Sequence, residues 1–324
     1  LLFAQRTLAA TPQGIDQHIA QGFKPFADAV SGFVFAAIPF GDHAVPWILF
    51  WLIVAGLFCT LYFRFINLRG MAQGMRIIRG DYDAPHHHGD TSHFQALATA
   101  LSGTVGLGNI AGVAVAVTVG GPGAAFWMIV AALLGMATKF CECTLAVKFR
   151  HRRPDGTVSG GPMYYLRQGI AAEYPRLAPL GKALGFSFAV CCLFGTIGSG
   201  NFFQVNQAYQ QLLAGRAWMV GAAMAIATGI VVLGGIRRIA SVTDKLVPLM
   251  ALIYLLAGLV VIANNVPAIP HALGLILTGA FTPEGVQGGM LGVILQGFRR
   301  AAFSNEAGIG SAPIAHASVR TDEP

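Results

Sequence analysis

Residues 102–112 carry the side chains best suited to binding a small solute inside a membrane. They read Ser-Gly-Thr-Val-Gly-Leu-Gly-Asn-Ile-Ala-Gly, so the polar residues Ser102, Thr104 and Asn109 are interspersed with glycines. The stretch belongs to an uncharged run of 45 residues, 94–138, which would make a helix of roughly 68 Å. Because a bilayer core is about 30 Å thick, the run predicts two spans with a turn at residues 120–123. The glycines then fall in mid-membrane, which predicts an opened helix whose backbone groups face a cavity.

The composition identifies the class of protein. Of 324 residues, 55% are hydrophobic and only 11% are charged. Together with several uncharged runs of about 20 residues, this predicts an all-α integral membrane protein embedded in a lipid bilayer and excludes a water-soluble globule. In such a protein the formal net charge of +7 reports orientation, so it does not indicate a nucleic-acid partner.

Seven spans are predicted from the long, mostly apolar runs. They lie at residues 45–63, 94–119, 124–147, 183–215, 217–236, 246–270 and 285–317. Placing the arginine-rich loop at 64–82 in the cytoplasm puts most Lys and Arg residues on that side and the N-terminus outside. The predicted segments are an amphipathic interfacial segment at 1–44, an extra first span with a basic cytoplasmic loop at 45–92, a first five-helix repeat at 93–270, and the start of a second repeat at 271–324.

The seventh span resembles the second because polar residues and glycines interrupt it. Residues 304–311 read Ser-Asn-Glu-Ala-Gly-Ile-Gly-Ser between two short apolar halves, which predicts another broken helix. Spans two and seven cross the membrane in opposite senses, as in an inverted repeat whose paired discontinuous helices meet at the midplane. The fold is therefore expected to be an inverted-repeat helical bundle, truncated after the seventh span with the remainder of the second repeat absent.

A broken helix of this kind suits a zwitterion together with a small cation. The freed amides at the start of the outer half can bind a carboxylate. The carbonyl oxygens that end the inner half, that of Val105 among them, can bind a hard cation such as sodium, helped by side-chain oxygens of Ser102, Thr104 and Asn109.

Charged side chains inside the spans suggest gating or structural pairs. Glu306 lies at the centre of span seven, and Arg300 precedes it, so we predict that the two pair across the break. Lys139 and Glu142 are three residues apart on one face of span three, where they would pair and then snorkel or gate.

Three motifs resemble the sodium:alanine (alanine/glycine:cation) symporter family. They are Thr-Val-Gly-Leu-Gly-Asn from Thr104, Ser-Gly-Gly-Pro-Met-Tyr-Tyr from Ser159, and Ser-Asn-Glu-Ala-Gly-Ile-Gly-Ser-Ala-Pro from Ser304. They occur in the family's order and extend over most of the chain.

The resemblance implies a leucine-transporter-like fold and sodium-coupled uptake of alanine or glycine by alternating access. It further implies a monomer in a bacterial plasma (inner) membrane, with sodium as the co-transported ion and no organic cofactor. Substrate contacts implied in the same way fall at Thr104, Gly106, Leu107, Gln204 and Asn305. One departure concerns Leu107, where the family commonly has threonine, and it leaves the exact substrate open.

Several alternatives remain at this stage. The glycines could serve close helix packing, and Gln204 could be an interhelical hydrogen-bonding residue. A proton-coupled or uncoupled amino-acid exchanger would use the same fold. A membrane-embedded enzyme is disfavoured because neither a Ser/His/Asp set nor a His-Glu-x-x-His motif is present, so no enzyme activity is predicted.

Overall fold

The computed structural model describes residues 15–40, 43–83, 87–196, 204–205, 217–282 and 289–324. The chain divides into two compact units, residues 1–52 and residues 53–324. The first unit contains helix α1 (Ile15–Val34), followed by strands β1 (Ala37–Phe40) and β2 (His43–Pro46), which pair antiparallel. The indole N–H of Trp47 donates a hydrogen bond to the carbonyl of Phe33 at 2.8 Å. The expected amphipathic segment is thus a helix and a hairpin.

Helices dominate the rest of the described chain. Those of residues 47–195 are α2 (Trp47–Tyr62), α3 (Ile66–Arg69), α4 (Met71–Ile78), α5 (His93–Thr104), α6 (Leu107–Gly120), α7 (Gly123–Lys148), α8 (Pro162–Tyr164), α9 (Ile170–Glu173) and α10 (Ala178–Gly195). Strands β3 (His151–Arg152) and β4 (Val158–Ser159) form a small hairpin after α7, a π-helical turn (Tyr165–Gly169) joins α8 to α9, and a 3₁₀ turn (Pro175–Leu177) precedes α10.

The remaining helices follow in the last third of the chain. They are α11 (Ala217–Val232), α12 (Gly235–Ala263), α13 (Ile269–Phe281, after a 3₁₀ turn at Val266–Ala268), α14 (Gly289–Asn305) and α15 (Ser311–His316).

Among the described residues, four helical stretches are long and apolar enough to cross a membrane. They are His93–Gly120, Gly123–Lys148, Pro175–Gly195 and Gly235–Ala263. Their large apolar side chains face outward; on α12, for example, Leu255 and Val261 are more than half exposed. Because soluble proteins do not expose contiguous apolar faces of this size, the architecture is that of a helical membrane protein.

Both predicted helix breaks are present. A capping box between Ser92 and Gln95 begins α5, which ends at Thr104, and α6 begins three residues later at Leu107. The second break separates α14 from α15, and Glu306, Gly308 and Gly310 in it all have φ between 52° and 87°. This left-handed backbone cannot continue a helix.

The turn between the second and third predicted spans is confirmed. Helix α6 ends at Gly120 and α7 begins at Gly123, with Gly121 at φ 70° and Pro122 between them. Glycine accepts the positive φ without a steric penalty, and the proline φ is compatible with the start of the next helix.

Three helices differ from the predicted spans. Helix α10 begins at Ala178 rather than at 183. Helix α12 begins at Gly235 rather than at 246, because its first turns carry charged residues that a hydropathy pattern does not assign to a span. Helix α13 was not predicted at all, and the expected boundary between residues 270 and 271 falls inside it. At 13 residues, α13 is too short for a hydropathy pattern to identify as a span.

Small residues bring the helices of the breaks together. Helix α14 packs against α6 and α7, α5 packs against α12 and α15, and α13 packs against α7. A buried cluster of Ala116, Ala124, Ala131, Val293 and Ala301 occupies the contact of α14 with α6 and α7. Alanine and glycine allow the backbones to approach closely, which is how helices associate in lipid.

Candidate functional site

The first break presents several polar oxygens over a few residues. The hydroxyls of Ser102 and Thr104 donate to the carbonyls of Thr99 and Ala100 at 2.7 and 2.8 Å. The side-chain amide of Asn109 donates to the carbonyl of Thr104 at 3.0 Å. Because the hydrogens of these groups are directed at backbone carbonyls, the hydroxyl lone pairs and Asn109 Oδ1 remain available as acceptors.

Gln204 lies beside the first break. A Cβ placed on Gly106 would be 3.5 Å from Gln204 Nε2 and 3.7 Å from Oε1, so the amide lies where it would be in van der Waals contact with the first side-chain atom of any larger residue. Of the predicted span at 183–215, the structure describes α10 and residues 204–205, with the other residues after 196 outside the description. The backbone of Leu107 begins α6, whereas its side chain lies outside the described part.

The two breaks are neighbours in space. A Cβ on Gly108 would lie 3.3 Å from the Cα of Ser304 and 3.3 Å from Cδ1 of Phe303. Residues about 200 positions apart in the chain therefore touch where both helices are interrupted. Glycine suits this position because a Cβ would be tighter against α14 than an ordinary van der Waals contact.

Asn305 is the last residue of α14 and begins the second break. Its Oδ1 accepts the backbone N–H of Ala307 at 2.9 Å. Its Nδ2 lies close to α7, since a Cβ on Gly135 would approach it to 2.8 Å. The amide is thus held between the break and α7, close to the contact of Ser304 with Gly108.

Glu306 has a different partner from the one predicted. Its Oε2 accepts a hydrogen bond from the hydroxyl of Ser311, which bridges the break from α14 to α15. Within the described residues the structure contains no ion pair between Glu306 and Arg300, and Arg300 Nε is buried without a hydrogen-bond partner there. The left-handed backbone of Glu306 turns it toward the start of α15, which explains the difference.

The Ser-Gly-Gly-Pro motif packs against the second broken helix. A Cβ on Gly161 would lie 2.8 Å from Cγ1 of Ile314, and one on Gly160 would lie 2.5 Å from Cβ of Ala317. Gly310 in turn contacts Pro162, to which a Cβ would approach within 2.6 Å. The motif is therefore a close-packing surface for α15.

Arg150 organises a polar cluster that the sequence did not reveal. We call it the Arg150 cluster: residues 88–91, Arg150 and residues 317–321. The guanidinium is 7% exposed and donates to the carbonyls of Ala317 and Val319 at 3.0 and 2.6 Å, to that of Thr321, and to that of His88 at 3.1 Å. Burial lowers the pKa of Arg150, but an arginine remains charged even so.

The same cluster ties the start of α5 to the end of α15. Thr91 and Ser318 share a side-chain hydrogen bond of 2.9 Å, and Thr91 pairs with Val319 as a parallel β-bridge. Asp90 Oδ1 accepts hydrogen bonds from Nε and Nη2 of Arg237 on α12, at 3.0 and 2.9 Å. The loops before one broken helix and after the other are therefore joined to each other and to α12.

Arg150 escaped the sequence analysis for a specific reason. It lies in a run of basic residues after a span, which is the usual signature of a solvated positive loop. No pattern of neighbouring residues distinguishes a buried arginine from a solvated one. Only the tertiary structure shows that carbonyl groups surround Arg150.

Comparison with known proteins supplies the family. Residues 35–324 match the model of the sodium:alanine symporter family. The chain is 42% identical over 283 residues to the sodium/alanine symporter AgcS of Methanococcus maripaludis, an alignment that covers 86% of this chain and 61% of that protein.

Two relatives come from Bacillus subtilis. The chain is 33% identical over 274 residues to the probable sodium/glutamine symporter GlnT, covering 84% of this chain and 56% of GlnT. It is 33% identical over 286 residues to the putative sodium/proton-dependent alanine carrier protein YrbD, an alignment that covers 87% of this chain and 57% of YrbD. The chain thus spans roughly 60% of the length of these curated relatives. The family and these relatives are transporters rather than enzymes, which confirms the prediction that the chain is not an enzyme.

Proposed function

Because the chain belongs to the sodium:alanine symporter family, we propose that its gene product couples the entry of a small neutral amino acid, alanine or glycine, to that of sodium. We assign the fold to the leucine-transporter-like inverted repeats, in which alternating access moves two broken helices around a central site. The observation that carries the proposal is the contact of the two breaks, where Gly108 meets Ser304 and Gln204 lies against Gly106.

The proposed substrate site lies between the breaks. The amides that begin α6 at Gly106 and Leu107 would bind the carboxylate of the amino acid. Thr104, Gln204 and Asn305 would contact its polar atoms. The names of AgcS, YrbD and GlnT, which refer to alanine and to glutamine, support a neutral amino acid as substrate.

The proposed sodium site uses the oxygens that end α5. Ser102, Thr104 and Asn109 would contribute side-chain oxygens, and Val105 its backbone carbonyl, which are the hard ligands that sodium prefers. Their hydrogens already point at the carbonyls of Thr99, Ala100 and Thr104, which supports a role as cation ligands. The predicted Arg300–Glu306 pair stays a proposal for another conformation of the transport cycle.

The test is uptake of labelled L-alanine into proteoliposomes that carry the full-length gene product. We expect uptake driven by an inward sodium gradient and none with potassium or a proton gradient in its place. Asn305→Ala should abolish it, whereas Asn265→Ala, a matched change at an exposed asparagine just after α12 that donates to the Val261 carbonyl in the last turn of that helix, should not.

Equal uptake under all three gradients would instead establish the uncoupled exchanger, and uptake that follows the proton gradient would establish proton coupling. Absence of alanine and glycine uptake would refute the proposed substrate.

A further inference from the structure

The second break contains a non-glycine residue in a left-handed backbone conformation. Glu306 has a φ of 52°, whereas the other two positive-φ residues of the break, Gly308 and Gly310, are glycines. A side chain in this region of backbone space costs free energy, which glycine avoids. Such a residue persists only where the surrounding structure holds it, so the contacts of Glu306 indicate what its conformation is for.

One side-chain contact of Glu306 crosses the break. The hydroxyl of Ser311 donates to Glu306 Oε2. Ser311 is the first residue of α15, and Glu306 directly follows the last residue of α14. The carbonyl of Glu306 also accepts the backbone N–H of Ile309 at 3.2 Å. The bond from Ser311 therefore ties the start of α15 to the end of α14 across the left-handed turn.

The backbone conformation of Glu306 determines how Asn305 is held. The N–H of Ala307 donates to Asn305 Oδ1 at 2.9 Å. That N–H belongs to the planar peptide group between residues 306 and 307, so its direction depends on the dihedral angles of Glu306. If Glu306 moved to the right-handed helical region, the N–H would change direction and release the Asn305 side chain.

Helix α7 confines Asn305 from another side. A Cβ on Gly135 would lie 2.8 Å from Asn305 Nδ2 and 3.0 Å from the Cβ of Ala307. Ser304, the residue before Asn305, lies against Gly108 of the first break. The side-chain amide of Asn305 is therefore held beside the contact of the two breaks, between α7 and the N–H of Ala307.

We propose that Ser311 is a positioning residue for the substrate contact of Asn305. Its hydroxyl holds Glu306 in the left-handed conformation, and that conformation directs the Ala307 N–H to Asn305. The inference rests on the proposed function for the role of Asn305 toward the amino acid. The hydrogen bond that Ser311 makes across the break does not depend on that role.

A set of variants in the full-length protein isolates this hydrogen bond. Ser311→Ala removes the donor, Glu306→Ala removes the acceptor, and a double variant removes both. Glu306→Gln keeps a side-chain oxygen at the same reach and so keeps an acceptor. Ser241→Ala is the matched control, because the exposed Ser241 hydroxyl donates to the Arg238 carbonyl within its own helix.

Three measurements are made on each variant: deuterium exchange of the peptide that contains residues 307–309, the KM of sodium-driven L-alanine uptake, and the melting temperature. We expect Ser311→Ala and Glu306→Ala each to speed exchange and raise the KM about tenfold, which corresponds to about 1.4 kcal/mol. The double variant should match either single variant, because both groups act through one hydrogen bond. Glu306→Gln and Ser241→Ala should stay within about threefold of the wild-type protein.

The remaining outcomes overturn the proposal. Additive effects in the double variant would show that Ser311 and Glu306 act separately, and unchanged exchange in Ser311→Ala would show that its hydroxyl does not hold the break. A lower melting temperature with an unchanged KM would show a purely structural role.

Failure of the proposed function is a separate result. If the wild-type protein takes up neither alanine nor glycine, the proposed substrate is wrong, whereas the exchange comparison still decides whether Ser311 holds the break. The KM comparison is then made with the neutral amino acid that the protein does transport.

Discussion

Replacing Arg150 by alanine should lower the stability of the folded protein by about 3–4 kcal/mol. The guanidinium donates to the carbonyls of Ala317, Val319 and Thr321, which are buried, and to that of His88. Each buried carbonyl that loses its donor costs about 1–3 kcal/mol. The lower end of that range applies to each of the three, because the vacated volume lets water reach them.

Arg152 provides a matched control two residues away. It pairs with Asp322 at 3.2 Å, but the two side chains are 48% and 40% exposed. A surface pair of this kind contributes about 0–1 kcal/mol, so Arg152→Ala should be nearly neutral. Arg150→Lys should fall between the two, because an ammonium is a single donor atom that cannot reach four separated carbonyls.

The assay is thermal unfolding of the purified full-length protein in detergent. At about 2–4 °C per kcal/mol, Arg150→Ala should melt about 10 °C below the wild-type protein, and Arg152→Ala should melt within about 3 °C of it. Melting of Arg150→Ala within about 2 °C of Arg152→Ala would refute the reasoning, because it would mean that the cluster's carbonyls find other donors without cost.

Two further predictions concern close packing and the ion pair of the Arg150 cluster. Gly123→Ala should destabilise the protein by about 1–3 kcal/mol in the same melting assay, since its Cβ would lie 2.1 Å from the Gly279 carbonyl oxygen. Gly274→Ala, with nothing within 4 Å, is the control and should be neutral. Asp90→Asn should speed labelling of a cysteine substituted for Ser318 several-fold, because loss of the carboxylate charge weakens the ion pair with Arg237 that ties residues 88–91 to α12. Asp155→Asn, at an exposed turn, should leave the labelling rate unchanged.

The helix breaks were predictable because they depend on local sequence. Glycine and polar residues inside an apolar run interrupt a helix wherever it packs, and the structure places the interruptions after Thr104 and after Asn305. The turn at residues 120–123 was predictable for the same reason, since Gly-Gly-Pro-Gly can continue neither helix.

Helix α13 and the start of α12 were missed because hydropathy identifies spans and not helices. Thirteen apolar residues are too few to span a bilayer, and their place is set by packing, with Trp127 Nε1 donating to the Ala280 carbonyl at 2.9 Å. Arg237 and Asp244 at the start of α12 looked like loop residues, yet they bond to Asp90 and Gln95 and so extend the helix.

The sequence by itself determined the membrane class, the breaks and the family motifs, because hydropathy, glycine content and motif order are properties of neighbouring residues. The tertiary structure decided which hydrogen-bond partners the charged side chains have. Arg150 bonds to carbonyls about 170 residues away, and Glu306 turns to Ser311 rather than Arg300. A charged group in a low-dielectric interior bonds to whichever polar atom the fold brings within about 3 Å, and that distance is fixed by the path of the whole chain.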